Sequence, residues 1–171
     1  MKVIVRQYHS PCGPLLLGVY ECKLCLCDWD EPVRRDSIDP GLLKRLGADG
    51  FEYGDSALLD EAEAQLDAYL RGEIFDFNLP LLYAGTHMQV DVWEYLRTVP
   101  YGATRTYAEV AAAIGKPNAV RAVAHAIGQN VMSIIVPCHR IIGADGSMRG
   151  YAGGLHAKCY LLDLERKNLQ P

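Results

Sequence analysis

The stretch TYAEVAAAIGKPNAVRAVAHAIG, residues 106–128, decides the architecture of the second half of the chain. Thr106 and Glu109 have the spacing of a capping box, so a helix is predicted from there to about residue 114. Gly115 ends that helix, and the turn that follows leads to Asn118, which is expected to cap a second helix over residues 119–127. Two short helices joined by a tight turn that contains glycine predict a helix-turn-helix.

The second of these helices carries mostly small side chains. Ala122, Ala124 and Ala126 would let its backbone approach another surface closely, and Arg121 is the one long cation among them. Two interpretations remain open from these residues alone. The helix contacts nucleic acid, or it packs in the core while Arg121 extends to solvent.

The sequence on both sides of the helix-turn-helix contains clear signals for where helices and turns begin and end. Upstream, Thr86 and Gln89 form a second capping box and open a helix that places Val92, Trp93, Leu96 and Val99 on one side. Downstream, the apolar residues 133–136 predict a buried segment, and a turn is predicted at residues 143–146. A final helix is predicted from about Leu155 to Lys167.

The first half predicts a different kind of unit. Residues 3–8, 15–20 and 23–29 have the pattern of three strands, which the short connections between them join into a meander. A short helix is expected at residues 40–46, and Ser56 caps a clear helix that runs to Arg71. Residues 74–79 are expected to form an edge strand. We place the domain boundary at residues 80–85, with one domain at 1–80 and the other at 81–171.

Composition and charge bound the class of protein. Half of the 171 residues are hydrophobic and 22% are charged, which excludes a disordered tail, a collagen-like fibre and a coiled coil. No apolar run approaches the ~18 residues of a membrane-spanning helix, and an intracellular, soluble protein is expected. The net charge is -4, but residues 1–84 hold 8 basic and 15 acidic side chains while residues 85–171 hold 9 and 6. This change of sign indicates two units with different roles.

Six cysteines raise the question of a metal site. Cys22, Cys25 and Cys27 lie close together, but no fourth ligand is near them, and on a strand Cys25 and Cys27 share one face as small apolar residues do. We therefore predict core packing and no metal. Cys159 lies in a helical pattern and is also expected in the core.

The cysteine in Pro137-Cys138-His139-Arg140 has different neighbours. A thiol reacts as its thiolate, so it needs a base or a cation beside it, and His139 is adjacent. Glu165 on the final helix is a candidate to orient the imidazole. Gly150 and Tyr151 belong to a glycine-rich loop that would allow a flat ligand to lie against the backbone. The alternative is a buried structural cysteine beside a core histidine.

Taken together, these motifs resemble the O6-alkylguanine-DNA alkyltransferases, which reverse DNA damage directly. The resemblance runs from Gly85 to about Glu165. It rests on Val92-Trp93, Val99-Pro100-Tyr101-Gly102, Thr106-Tyr107, Arg121-Ala122-Val123, Gly128-Gln129-Asn130, residues 135–140, residues 150–155 and residues 161–165. In the first half, only the hairpin signal Ser10-Pro11-x-Gly13 is shared.

The resemblance implies an activity and a role for each residue of the site. An alkyl group on guanine O6, and on thymine O4, would pass to Cys138 in a reaction that each molecule performs once. His139 would act as base through a water, with Glu165 orienting it. Asn130 would shape the pocket, and Tyr107 would give a proton to the departing guanine. Arg121 would enter the minor groove and fill the gap left by the flipped base.

Other residues are expected around these groups. The DNA-binding set implied by the resemblance adds Thr106, Ala122 and Ala126 to Arg121 and Tyr107. The substrate pocket is expected to be lined by Tyr151, Ala152, Ile127, Ile141 and Arg140.

The same resemblance implies the fold and the partners. The fold class is α+β, with a ribonuclease-H-like α/β domain that contains an antiparallel sheet, followed by a mostly helical, winged-helix-like domain. The expected partner is double-stranded DNA that contains O6-alkylguanine. The protein is expected to be a cytoplasmic monomer, nucleoid-associated if bacterial, with no cofactor and no metal.

Two departures from the family pattern bear on affinity and substrate range. Ala124 stands where the family usually has glycine, and Val131 follows Asn130 where proline is usual. Three other functions would use the same residues differently. A damage-binding protein would not need Cys138, a cysteine hydrolase would not need Arg121, and a transcription regulator would leave Cys138 and His139 without a role.

Overall fold

The computed structural model describes all 171 residues. The chain forms two compact units, Met1–Gly85 and Thr86–Pro171. The fold is mixed α and β. The chain has six α-helices in all, and its main sheet lies in the first unit. None of the helices combines the length and the apolar character that a membrane span requires.

The first unit is built on a four-stranded sheet. Its strands are β1 (Val3–Ser10), β2 (Gly13–Tyr20), β3 (Lys23–Trp29) and β4 (Phe51–Tyr53), in the order β3-β2-β1-β4. The first three strands form the predicted antiparallel meander, but β4 runs parallel to β1. The sheet is therefore mixed and not antiparallel throughout, because a helical crossover carries the chain from β3 to the far edge.

Helix α1 (Pro32–Leu46) is longer than the predicted helix at residues 40–46. It begins where Glu31 accepts a hydrogen bond from the Arg34 N–H, and Pro32 occupies the first turn. Pro40 lies inside the helix and does not start it. The first half of α1 is held by Asp28, a fully buried carboxylate that accepts hydrogen bonds from the side chains of Arg34 and Arg35. This ion pair connects β3 to α1, and local sequence patterns give no sign of it.

Helix α2 (Ala57–Leu70) follows the prediction, with Ser56 accepting a hydrogen bond from the Leu58 N–H. The expected edge strand at residues 74–79 is absent. Gln65 on α2 holds this segment by donating to the Asn78 carbonyl and accepting from the Asn78 N–H, at 3.0 and 2.9 Å. A side chain thus takes the backbone groups that a strand neighbour would have used. Only Leu81 pairs with the sheet, through an isolated bridge to Leu24.

The second unit is mostly helical. Its helices are α3 (His87–Leu96), α4 (Tyr107–Ala113), α5 (Val120–Gly128) and α6 (Gly154–Asn168), and a short 3-10 turn spans Cys138–Arg140. Strands β5 (Arg105–Thr106) and β6 (Ile141–Ile142) form a two-stranded parallel pair. Both predicted capping boxes are present, at Thr86 with Gln89 and at Thr106 with Glu109.

Helix α5 begins differently from the prediction. Its N-cap is Ala119, without a side-chain hydrogen bond, so Asn118 does not cap it. The Ala119 N–H instead bonds to the Lys116 carbonyl, which closes the turn between α4 and α5 one residue later. The apolar face of α5 is then fixed against α3, where the Trp93 indole donates to the Ala126 carbonyl at 2.9 Å.

The cysteines outside the 3-10 turn occupy different environments. Cys25 and Cys27 are fully buried in β3, as expected for core residues, and burial raises the pKa of the Cys25 thiol to about 12. Cys22 is exposed in the turn between β2 and β3. Cys159 was expected in the core but is only partly buried, because it lies at the edge of the apolar stripe of α6.

Candidate active site

Cys138 lines a small cavity in the second unit. Its side chain is buried, with 7% of the residue exposed. The cavity has a volume of about 90 Å³ and is lined by Tyr107, Ala124, Ile127, Gly128, Asn130, Cys138, Gly150, Tyr151 and Ala152. Three chain segments meet there: the start of α4, the end of α5 with the turn that follows, and the loop before α6.

The segment before Cys138 is held by Asn130. Its side-chain amide donates to the Val136 carbonyl at 2.9 Å, and its Oδ1 accepts from the Met132 N–H at 2.9 Å. Asn130 is 1% exposed, so these bonds replace water contacts that the backbone has lost. The Cys138 N–H in turn bonds to the Val136 carbonyl at 2.8 Å. A buried side chain therefore fixes the position of the thiol.

Glu165 on α6 is the centre of a buried polar cluster behind Cys138. One of its oxygens lies 2.8 Å from His139 Nε2, and the carboxylate accepts from the Arg140 guanidinium at 2.7 to 3.1 Å. It also accepts from the Gly102 N–H at 3.1 Å. Arg140 completes its contacts by donating to the Val99 carbonyl at 2.7 Å. The cluster joins the 3-10 turn, the end of α6 and the loop after α3.

These contacts fix the protonation states of the pair. Burial alone would raise the pKa of Glu165, but the hydrogen bonds from His139 and Arg140 bring that pKa well below its ordinary value. Burial lowers the pKa of His139, so the imidazole is neutral at neutral pH. An ionised carboxylate only accepts, which places the ring proton on Nε2. Nδ1 is then the basic nitrogen of the ring.

Tyr107 and Arg121 lie at the mouth of the cavity. Both line an open groove of about 530 Å³ that continues from the cavity along α5 and includes Val120, Ala124, Gly128, Arg149 and Gly150. Burial and the nearby Cys138 raise the pKa of Tyr107, while the Arg149 guanidinium lowers it. The phenol therefore carries its proton at neutral pH. Arg121 is exposed on α5.

Several residues that the sequence assigned to the site do not line the cavity. Ile141 is fully buried and, like Arg140, does not line the cavity, because Arg140 is turned toward Glu165 and Ile141 follows it into β6. Ala126 is 3% exposed and lines a separate groove that also includes Met88 and Gln89 of α3. Thr106 uses its hydroxyl to accept from the Glu109 N–H. Ala122 is exposed but lines a separate groove. Tyr151, Ala152 and Ile127 do line the cavity.

Two site residues were missed by the sequence analysis. Gly102 contributes a backbone N–H to Glu165 across 63 positions, and no local pattern indicates this. Lys158 is 1% exposed on α6, and its ammonium donates to the carbonyls of Ile141 and Arg149. It therefore links the strand after the cysteine to the loop that forms the cavity wall. A lysine on the apolar stripe that includes Leu161 and Leu162 was a signal that could have found it.

Comparison with known proteins assigns the family. A family model described as 6-O-methylguanine DNA methyltransferase, DNA binding domain, matches residues 87–167. The methylated-DNA–protein-cysteine methyltransferase of Methanosarcina barkeri is 44% identical over 95% of this chain and 96% of its own length. The protein of the same name from Mycobacterium leprae is 44% identical over 94% of this chain and 91% of its own length.

This chain belongs to the methylated-DNA–protein-cysteine methyltransferase family. Among solved structures, this methyltransferase chain is similar to Mycobacterium tuberculosis OGT in complex with DNA. The TM-score is 0.83 and the sequence identity is 40%, over 97% of this chain and 94% of the OGT chain. The matched residues 87–167 contain the whole cavity and the Glu165 cluster.

Proposed function

We propose that this methyltransferase repairs DNA by transferring an alkyl group from guanine O6 to the sulfur of its own Cys138. The observation that carries the proposal is the position of Cys138. It lines a cavity and is next in sequence to a neutral histidine that is hydrogen-bonded to an ionised glutamate. This arrangement supplies a nucleophile, a base and an orienting group. Thymine O4 presents a similar alkylated oxygen, and we include it as a second substrate.

The thiol is activated by His139. Nδ1 accepts the proton of Cys138 through a bridging water, and Glu165 holds the ring by accepting from Nε2–H. As the imidazole gains a proton, its positive charge develops beside the Glu165 carboxylate, which stabilises it. Arg140 and Gly102 hold that carboxylate in position by donating further hydrogen bonds to its oxygens.

Alkyl transfer is a displacement at carbon. A bond forms between the sulfur of Cys138 and the alkyl carbon, while the bond from that carbon to guanine O6 breaks. The guanine would leave as an anion, and Tyr107 gives it a proton. The raised pKa of Tyr107 keeps the phenol protonated before the reaction. The proton released by Cys138 returns through His139 and solvent to Tyr107, so the protons balance.

The target nucleotide has to leave the duplex to reach Cys138. A buried thiol in a cavity of about 90 Å³ is out of reach of a stacked base. Extruding a base costs a few kcal/mol. We assign to Arg121 the role of entering the stack from the minor groove and filling the gap, with α5 as the helix that lies in the groove. Minor-groove contacts carry little sequence information, as suits damage at any guanine.

The product determines how often the protein acts. Alkylated Cys138 is a thioether, which has no simple route back to the thiol, so each molecule reacts once and needs no cofactor. The partner is double-stranded DNA that contains the lesion. We propose that the protein acts as a monomer in the cytoplasm, on the nucleoid if the source is bacterial.

The proposal also includes a fold for each of the two domains. We assign a ribonuclease-H-like fold to the first domain and a winged-helix-like fold to the second, with the boundary at residues 80–81. The second domain then holds every group of the reaction. The match of the family model to residues 87–167 supports this division of roles.

Stoichiometry tests the proposal. Excess duplex with one O6-methylguanine is mixed with a known amount of protein, and restored guanine is counted. We expect at most one guanine per protein molecule, none with Cys138→Ala, and an unchanged count with Cys159→Ala, the control cysteine in the same unit. Repeated turnover would indicate a hydrolase. Tight binding without restoration by the natural protein would indicate a damage-binding protein.

A further inference from the structure

Residues 143–147 form a hydrogen-bonded turn, and residues 148–150 lead from it to the groove beside Cys138. The Gly143 N–H bonds to the Ser147 carbonyl and the Gly146 N–H to the Gly143 carbonyl, each at 2.9 Å. Asp145 accepts from both the N–H and the hydroxyl of Ser147. The Lys158 ammonium donates a hydrogen bond to the Arg149 carbonyl at 3.3 Å. The backbone that carries the Arg149 side chain is therefore fixed.

The Arg149 side chain lies across this turn with a weak partner. Its guanidinium is 3.8 Å from Asp145, and the two side chains are 60% and 65% exposed. An exposed ion pair at this distance contributes little to stability. Glycine at position 143 leaves room for the arginine, since a Cβ there would lie 2.8 Å from Arg149 Nε. Arg149 is thus held over the turn but can exchange its partner at little cost.

Arg149 also faces the mouth of the cavity. It lines the same open groove as Arg121 and Tyr107. Arg121 belongs to α5, whereas Arg149 belongs to the loop before α6. A nucleotide that enters the cavity through this groove would bring its phosphates within reach of these two cations.

We propose that Arg149 binds a backbone phosphate of the strand whose nucleotide enters the Cys138 cavity, and that this phosphate replaces Asp145 as its partner. Guanidinium presents paired N–H donors that match phosphate oxygens, and a phosphate is a stronger acceptor for them than a distant exposed carboxylate. This inference rests on the proposed function, because it needs DNA in the groove beside α5. The proposal adds a DNA contact from the loop between β6 and α6, which lies outside the helix-turn-helix.

The salt dependence of binding tests the contact. Affinity for duplex with one O6-methylguanine is measured in the Cys138→Ala background between about 50 and 200 mM salt. Each phosphate contact adds about 0.9 to the slope of log affinity against log salt. We expect Arg149→Gln to weaken binding and lower the slope by about that amount. Arg166→Gln is the matched control, since Arg166 is also exposed and paired, with Asp163 at 3.2 Å, but lies on α6 outside the groove.

An unchanged slope for Arg149→Gln would overturn the proposal. Arg121→Gln, measured in parallel, separates this failure from a failure of the proposed function. If Arg121→Gln lowers affinity and Arg149→Gln does not, only the Arg149 contact is wrong. If neither variant changes affinity, DNA does not occupy this groove, and the role assigned to α5 fails as well.

Asp145 provides a second, independent measurement. If it competes with phosphate for Arg149, Asp145→Asn tightens DNA binding severalfold when Arg149 is present and has a smaller effect in the Arg149→Gln background. Equal gains in both backgrounds would show that Asp145 acts only by its negative charge, and would contradict the exchange of partners.

Discussion

His139 Nε2 lies 2.8 Å from Glu165 Oε1, although the two residues are 26 positions apart in the sequence, and both side chains are fully buried. The contact exists because α6 packs against the 3-10 turn that carries Cys138 and His139. It leaves Nδ1 as the basic nitrogen of a neutral imidazole. The chemistry proposed for Cys138 depends on this one relationship.

The pH dependence of alkyl transfer is the first prediction. Burial lowers the pKa of His139 below 6.5, so the imidazole stays neutral and able to accept a proton as pH falls toward that value. We expect the single-turnover rate to be nearly constant from about pH 8 to 6.5 and to fall only at lower pH. The measurement is the rate of guanine restoration across that range.

His139→Gln is the control for this profile. Glutamine can still donate to Glu165 but cannot act as base, so the rate should drop by about 10²-fold or more. The remaining rate should rise with pH toward the ordinary thiol pKa near 8.5. A rising profile in the natural protein would show that Cys138 ionises without help from His139.

The second prediction concerns stability. Glu165→Gln leaves the Arg140 guanidinium buried without an ionised partner, which costs about 3–5 kcal/mol of unfolding free energy. Asp163→Asn, which removes the exposed Asp163–Arg166 pair, should cost less than about 1 kcal/mol. Urea unfolding at pH 7 measures both differences.

The same variant gives a pH test with a defined sign. The pKa of Glu165 is lower in the folded protein than its ordinary value of 4.5, so its ionisation stabilises the fold above that pH. The stabilisation decreases as pH falls through the lower, folded value. The gap between natural protein and Glu165→Gln should therefore be constant above about pH 5 and shrink in acid. A gap that widens in acid would contradict the assigned ionisation state.

Arg121 supports the third prediction. Because base extrusion costs a few kcal/mol, Arg121→Ala should slow reaction with an alkylated duplex at least about tenfold. Reaction with the free alkylguanine base needs no extrusion and should change little. Rates on both substrates, with Arg166→Ala for comparison, give the result. Equal slowing on both substrates would remove Arg121 from the extrusion step.

The fourth prediction concerns Ala124, which lines both the cavity and the groove. Ala124→Gly removes a methyl group from the cavity wall, so we expect faster reaction with a bulky O6-benzyl group relative to O6-methyl. The substitution should also cost about 0.5–1 kcal/mol of helix stability. Ala122→Gly should reduce helix stability by the same amount, but Ala122 lies outside the cavity. If both variants shift the benzyl-to-methyl ratio equally, the effect comes from helix stability and not from cavity size.

Local signals in the sequence predicted local structure well. The bounds of β3 and the two capping boxes depend on residues within a few positions of each other, and the structure confirms them. Cys138 is buried and lines a cavity together with residues of α5, as predicted. The family assignment is confirmed by the comparisons. The roles of the site residues stay predictions.

Two of the errors share a physical cause. The absence of the edge strand depends on Gln65, and the placement of Arg140 depends on Glu165. In each case a side chain distant in sequence decides where a segment lies. Single-sequence patterns report the preference of a segment and not the partner that tertiary packing brings to it. Lys158 is a different case, because its place on the apolar stripe of α6 was a local signal.

The most direct test of the central claim is the mass of the peptide that contains Cys138. Purified protein is mixed with duplex that carries one O6-methylguanine, then digested and measured. We predict one added methyl group on Cys138, none on Cys159, and no further guanine restored by the methylated protein. A methyl group on another residue, or restored guanine without any change in protein mass, would contradict the account.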